Sequence, residues 1–141
     1  MSEAVGKSAP RARPQFTNIH VSQLIGYRLP IPGIVSILHR VSGALMFLVG
    51  IPFILYLLQQ SITSELSFDS YRAVVSHWFV KLVLLALIWS FFHHLCAGIR
   101  FLLLDVHMGV EKETARKSAM LVVMVSVIAT LLVALKLFGI F

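Results

Sequence analysis

Three long apolar runs alternate with polar stretches along this chain, and their spacing predicts three membrane-spanning helices. The first run, VSGALMFLVGIPFILYLL, goes from Val41 to Leu58. Ser36, His39 and Arg40 continue its helical pattern backwards, so the helix is predicted over about 34–59. Pro52 lies within it, and membrane helices tolerate a kink there because neighbouring groups re-satisfy the freed backbone. The second run extends over about 77–104, with Lys81 near its start and His93, His94 and Arg100 near its end. The third covers about 118–139 and is broken only by Lys136. Each run is long enough to cross about 30 Å of hydrocarbon, which takes about 20 residues. Between them, QQSITSELSFDSYRAVVS (59–76) reads as a polar loop and DVHMGVEKETARK (105–117) as a highly charged connection. Residues 1–33 are polar and basic. Pro10, Pro14, Pro30 and Pro32 block an early helix there, so extended chain or short turns are expected up to Gly33. No apolar segment follows Met1, so no cleaved signal peptide is predicted. The expected organisation is an N-terminal segment, 1–33, followed by a three-helix membrane domain, 34–141.

Composition sharpens this reading. Apolar residues make up 58% of the chain and charged residues 13%. A soluble domain carries about 45–50% apolar and about 25% charged residues. Too little polar surface is left to cover such a chain in water, which excludes an ordinary soluble enzyme and a disordered tail and leaves an all-α membrane protein. The net charge of +6 comes from basic residues flanking the apolar runs, a pattern of membrane topology that predicts no nucleic-acid partner. Lys7, Arg11, Arg13, Arg28, Arg40, Arg100, Lys112, Arg116 and Lys117 fall on one side of the predicted spans. Only Arg72, Lys81 and Lys136 fall on the other. By the positive-inside rule the N-terminus is cytoplasmic and the C-terminus outside. Lys81 and Lys136 then lie near the outer surface, where their heads can snorkel to water. The one cysteine, Cys96, forms no internal disulfide and is read as a small buried hydrophobe.

Ionisable groups inside a membrane helix are costly and need a partner or a task. Two clusters stand out. Ser36, His39, Arg40 and Gly43 are spaced i, i+3, i+4, i+7, which places them on one stripe at the cytoplasmic end of the first helix. A hydroxyl, an imidazole and a guanidinium together suit a polar or anionic head group, and the guanidinium fork suits a carboxylate. The second cluster is Ser90, His93, His94, Ala97, Gly98 and Arg100. His94 and Gly98 share a face, and Ala97 and Gly98 allow close approach of a helix or a flat ligand. Imidazole beside a carboxylate-binding arginine is what a b-type haem requires, for its iron and its propionates respectively. Spacing does not choose between His93 and His94, which point about 100° apart. No HExxH, CxxC, GxGxxG or P-loop motif is present. No second histidine is placed to complete a bis-histidine site, so the other axial ligand of any haem would come from a partner chain.

The stretch SILHRVSG, Ser36 to Gly43, resembles the first membrane helix of the succinate dehydrogenase cytochrome b556 subunit family. HLCAGIRFLLLD, His94 to Asp105, resembles that family's second signature, and Arg13-Pro14 fits its N-terminal pattern. The resemblance runs from Arg13 nearly to the end of the chain. It implies one of two small anchors of complex II, part of a heteromeric helical bundle, sharing haem b with the sister anchor. It further implies a flavoprotein and an iron–sulfur protein as partners and a share in the ubiquinone site. Carried over by position, His94 matches the axial haem iron ligand, His39 and Arg40 the residues near the haem propionates, and Ser36 and Arg40 the ubiquinone-site residues. Asp105 matches the aspartate that closes the second signature, with no chemistry assigned. The chain departs from the pattern in two places. The stretch between Arg13-Pro14 and Ser36 is a few residues longer, and Phe101 stands where some members have a histidine that is not the axial ligand.

The implied function is electron transfer in the respiratory chain and the tricarboxylic acid cycle, by an anchor that is not catalytic alone. The implied place is the bacterial inner membrane, or the mitochondrial inner membrane for a eukaryotic chain. The neighbouring readings are the anchor of a quinol:fumarate reductase and, from a different class, a small helical transporter. The transporter reading has against it the lack of a mid-membrane acidic residue and of an inverted repeat.

Overall fold

The structure is a computed structural model that describes residues 26–139. Most of the N-terminal segment, including Pro10, Arg13 and Pro14, and the last two residues lie outside the described residues. Among the described residues four helices follow in order: α1, Ile31–Thr63; α2, Glu65–Ser76; α3, Trp78–Asp105; α4, Lys112–Leu137. Three of them, α1, α3 and α4, are long and apolar enough to cross a membrane.

Helix α1 begins at Ile31, a little before the apolar pattern suggests. Pro30 caps it in an extended conformation and Pro32 occupies its first turn, where a missing N–H costs nothing. The same prolines that block a helix upstream therefore start one here. Within α1 the backbone widens into a π turn over Met46–Gly50, where the Ile51 N–H bonds the Met46 carbonyl five residues back. Pro52 follows directly. A proline ring clashes with the carbonyl four residues before it and donates no hydrogen bond, and the wider turn absorbs both defects while the helix continues.

The stretch expected as a polar loop is helical. Helix α1 carries on through Gln59 and Gln60 to Thr63. Ser64 then breaks the chain direction and caps α2, accepting from the Ser67 N–H at 3.1 Å, while Ser67 Oγ accepts from the Ser64 N–H at 2.9 Å. This is a capping box with serine at its third position instead of Glu or Gln. Helix α4 likewise starts at Lys112, ahead of Ser118. Hydropathy marks the stretch suited to lipid, not the extent of the helix.

The three long helices pack against one another in an antiparallel order. At one end of the α3–α4 pair, Arg100 of α3 meets Ala115 and Ser118 of α4. At the other, the Lys81 ammonium lies 5.6 Å from the Phe138 ring centroid, which gives that lysine a cation–π partner. A small apolar cluster of Val35, Ala97, Ala119 and Val122 sits at the centre, with Cys96 packed against it. Leu87 is buried apart from this cluster, and the remaining buried side chains are polar: Ser42, Ser90, His93, Arg100, Ser126 and Thr130. The outward faces carry large apolar side chains such as Leu48, Ile62 and Leu102, each about two-thirds exposed or more. Polar groups inside and apolar groups outside is the arrangement lipid favours and water does not.

Candidate functional site

Helices α1 and α3 meet through a reciprocal contact that both signature stretches encode. Each contains a histidine followed four residues later by glycine: His39 and Gly43 on α1, His94 and Gly98 on α3. The helices run in opposite directions, so each histidine lies over the other helix's glycine. A Cβ at Gly43 would lie 2.8 Å from His94 Cε1, and one at Gly98 would lie 3.7 Å from His39 Nε2. The two imidazoles stack between these glycines, with centroids 4.1 Å apart and planes 16° from parallel.

Polar contacts fix the pair. His94 Nδ1 lies 3.0 Å from the His39 carbonyl oxygen. The buried Ser42 hydroxyl donates to that same carbonyl at 2.9 Å and stands 3.4 Å from His94 Nδ1. The Phe101 ring packs at 5.2 Å against His39. Of the residues predicted for the site, His39 and His94 are thus brought into direct contact. Ser36 and Arg40 lie one turn apart on α1, the first half-buried and the second exposed. Ser42 was not singled out by spacing, although it belongs to the same SILHRVSG stretch.

His93 occupies a different environment. It faces away from His94, as adjacent helical residues must, and is almost fully buried. Its ring stacks on Trp89 at 5.2 Å, Nδ1 is 3.5 Å from Ser126 Oγ on α4, and the Val35 backbone approaches it from α1. Its Nε2 has no hydrogen-bond partner among the described residues. With neighbours on three helices, this ring leaves no side open to a flat ligand. His94 is only half-buried, and its Nε2 lies on the ring edge, which stacking on His39 does not cover.

Arg100 has a structural role that its place in the charge count did not reveal. It is 6% exposed and turned inward. Its Nε donates to Ser118 Oγ at 3.0 Å and its Nη2 to the Ala115 carbonyl at 3.2 Å, while Ser118 Oγ donates to that carbonyl at 3.1 Å. The guanidinium thus fastens the end of α3 to the start of α4. A hydrogen bond to a charged group contributes about 1.5–3 kcal/mol. Arg100→Met is therefore expected to lower the thermal midpoint of the detergent-solubilised protein by an amount corresponding to about 2 kcal/mol. An unchanged midpoint would show that the clamp contributes nothing.

Among the described residues no group of three His, Cys, Asp or Glu side chains could hold a metal ion by itself. What the α1–α3 contact offers is a single oriented imidazole with one free edge, which suits a metal already held in a macrocycle.

Residues 17–133 match the family described as succinate dehydrogenase/fumarate reductase transmembrane subunit. The chain is 34% identical over 112 residues to the succinate dehydrogenase cytochrome b556 subunit of Paracoccus denitrificans, covering 79% of this chain and 85% of that one. It is 35% identical over 111 residues to the protein of the same name from Coxiella burnetii, covering 77% and 87%. Against the corresponding Rickettsia felis protein the identity is 34% over 107 residues, covering 75% and 82%.

Proposed function

The chain belongs to the succinate dehydrogenase/fumarate reductase transmembrane subunit family, and from that membership we propose that it anchors complex II through haem b and a ubiquinone site. The partners are a flavoprotein, an iron–sulfur protein and a second small anchor. The relatives named above are all succinate dehydrogenase subunits, which favours succinate oxidation with ubiquinone reduction over the reverse direction. The protein is multi-pass, with three apolar spans. We place it in the bacterial inner membrane with its N-terminus cytoplasmic, on the distribution of Lys and Arg.

The observation that carries the haem assignment is the setting of His94. Its Nδ1 is committed to a backbone carbonyl, which leaves Nε2 as the ligand atom. The remaining ligation of the haem would come from the sister anchor. At the same end of α1, Arg40 would meet the propionates with positive charge and His39 with an N–H donor. When bound, haem b supplies a one-electron carrier within the membrane.

Ubiquinone is the substrate at this face. The Ser36 hydroxyl donates to a quinone carbonyl, and Arg40 supplies fixed positive charge where negative charge develops during reduction. Succinate oxidation itself belongs to the flavoprotein partner, so this chain holds and orients but does not act alone.

Deleting the chain tests the anchoring role. Succinate oxidation with a soluble artificial acceptor is expected to move from the membrane fraction to the soluble fraction, and ubiquinone reduction to be lost. Retention of the dehydrogenase on the membrane at wild-type level would refute the role.

A further inference from the structure

His94 is held more tightly than ligation alone requires, by residues to which no role has been assigned above. A neutral imidazole carries one N–H and one lone pair. A carbonyl oxygen has no proton to give, so the 3.0 Å contact to the His39 carbonyl puts the proton on His94 Nδ1 and the lone pair on Nε2. The Ser42 hydroxyl gives its proton to the same carbonyl. Its oxygen, 3.4 Å from Nδ1, stands beside the shared acceptor as a weaker second one. Gly43 supplies the space: a methyl there would stand 2.8 Å from Cε1 and 3.2 Å from Nδ1 of the ring, closer than packed atoms come. The His39 ring closes one face.

We propose that Gly43 and Ser42 are positioning residues of the haem site. Gly43 leaves the room in which the His94 ring takes its orientation, and Ser42, with the His39 carbonyl, sets the tautomer and basicity of that ring. The proposal rests on the reading of His94 as the haem ligand. Groups bonded to the far nitrogen of a ligating histidine fix its tautomer and tune its donor strength. Ser42 competes with Nδ1–H for one carbonyl. Without the hydroxyl a weak second acceptor at 3.4 Å is lost, but the nearer carbonyl at 3.0 Å, freed of its competitor, accepts more strongly from Nδ1–H; the nearer partner prevails, the imidazole gains anionic character and ferric haem is favoured. The midpoint potential should then fall.

The test uses the whole complex purified with single substitutions in this chain. It reads haem content, the low-spin electron paramagnetic resonance signal of the ferric form, and the midpoint potential. Gly43→Ala is expected to lose haem or shift the low-spin signal, because the ring has to move. Gly50→Ala is the matched control on the same helix and the same interface. There a new methyl comes close to the flexible end of Leu87, at 3.3 Å, and lies at ordinary contact distance from Met46 Cβ and the Leu45 carbonyl oxygen, 3.8 and 3.9 Å. It is expected to keep the wild-type haem signal whatever it does to stability. Alanine is the better helix former at both places, so propensity does not explain a difference. Ser42→Ala is expected to keep full haem at a lowered potential, with Ser42→Thr restoring it. If Gly43→Ala does not assemble, the Ser42 variants decide alone. A wild-type signal in Gly43→Ala, an unchanged or raised potential in Ser42→Ala, or one that stays lowered in Ser42→Thr overturns the proposal. Haem retained by His94→Ala overturns the ligand assignment beneath it instead.

Discussion

His94→Ala is expected to abolish the b-type haem signal of the complex, the largest single effect in this chain. The nearest other imidazole, His39, stacks face to face on His94 from α1, so its nitrogens do not stand where His94 Nε2 does. The only other imidazole nearby on α3, that of His93, is almost fully buried against Trp89 and Ser126 and points elsewhere. His93→Leu gives the contrast. It removes Nε2, a buried nitrogen without a partner among the described residues, together with the 3.5 Å contact of Nδ1 to Ser126 Oγ, a hydroxyl that keeps its bond to the Val123 carbonyl. The haem spectrum should remain that of the wild type. Optical spectra of the two variants, at equal content of the partner subunits, separate the roles. Haem lost in His93→Leu and kept in His94→Ala would reverse the assignment.

Arg40→Leu is expected to give the second largest effect, on quinone reduction. Ser36 and Arg40 lie one turn apart at the same end of α1. Removing a charged donor from a site of low dielectric costs about 1.5–3 kcal/mol, or about ten- to a hundredfold in rate. Ser36→Ala removes a neutral hydrogen bond, costing about 0.5–1.5 kcal/mol, roughly two- to tenfold. A soluble artificial acceptor bypasses the quinone site. The informative quantity is therefore the ratio of ubiquinone reduction to artificial-acceptor reduction in assembled complex. A wild-type ratio in both variants would remove Ser36 and Arg40 from the quinone site and leave them as a helix end solvated by lipid head groups.

The three spans were legible because lipid imposes one simple demand on sequence, a long apolar run. Helix α2 was not. Its cap uses Ser64 and Ser67, where the familiar signal is an acidic or amide side chain, and its low hydropathy resembles that of a loop. The start of α4 at Lys112 was hidden for the same reason, since charged residues at a membrane surface are as content in a helix as in a turn. The π turn before Pro52 follows from a backbone conflict that sequence reveals only as the presence of a proline.

At the site, the residue types were readable and their pairing was not. His39 to Gly43 and His94 to Gly98 repeat one spacing in two places, yet only the antiparallel packing of α1 on α3 turns that repeat into two histidines seated over two glycines. Ser42 was passed over because a serine on an apolar helix is ordinary until a carbonyl and an imidazole are found beside it. Arg100 was counted as a topology charge and set in the second polar cluster, with no partner named. Its inward turn onto Ser118 and Ala115 depends on where α4 begins, which the apolar pattern did not locate.

The most direct measurement is the reduced-minus-oxidised spectrum of the complex isolated through an affinity tag on this chain, taken together with its subunit composition. The expected result is a b-type haem signal in a complex that also contains a flavoprotein, an iron–sulfur protein and a second small membrane subunit. Recovery of the chain without those partners, or with them and no b-type signal, would contradict its role as a haem-bearing anchor.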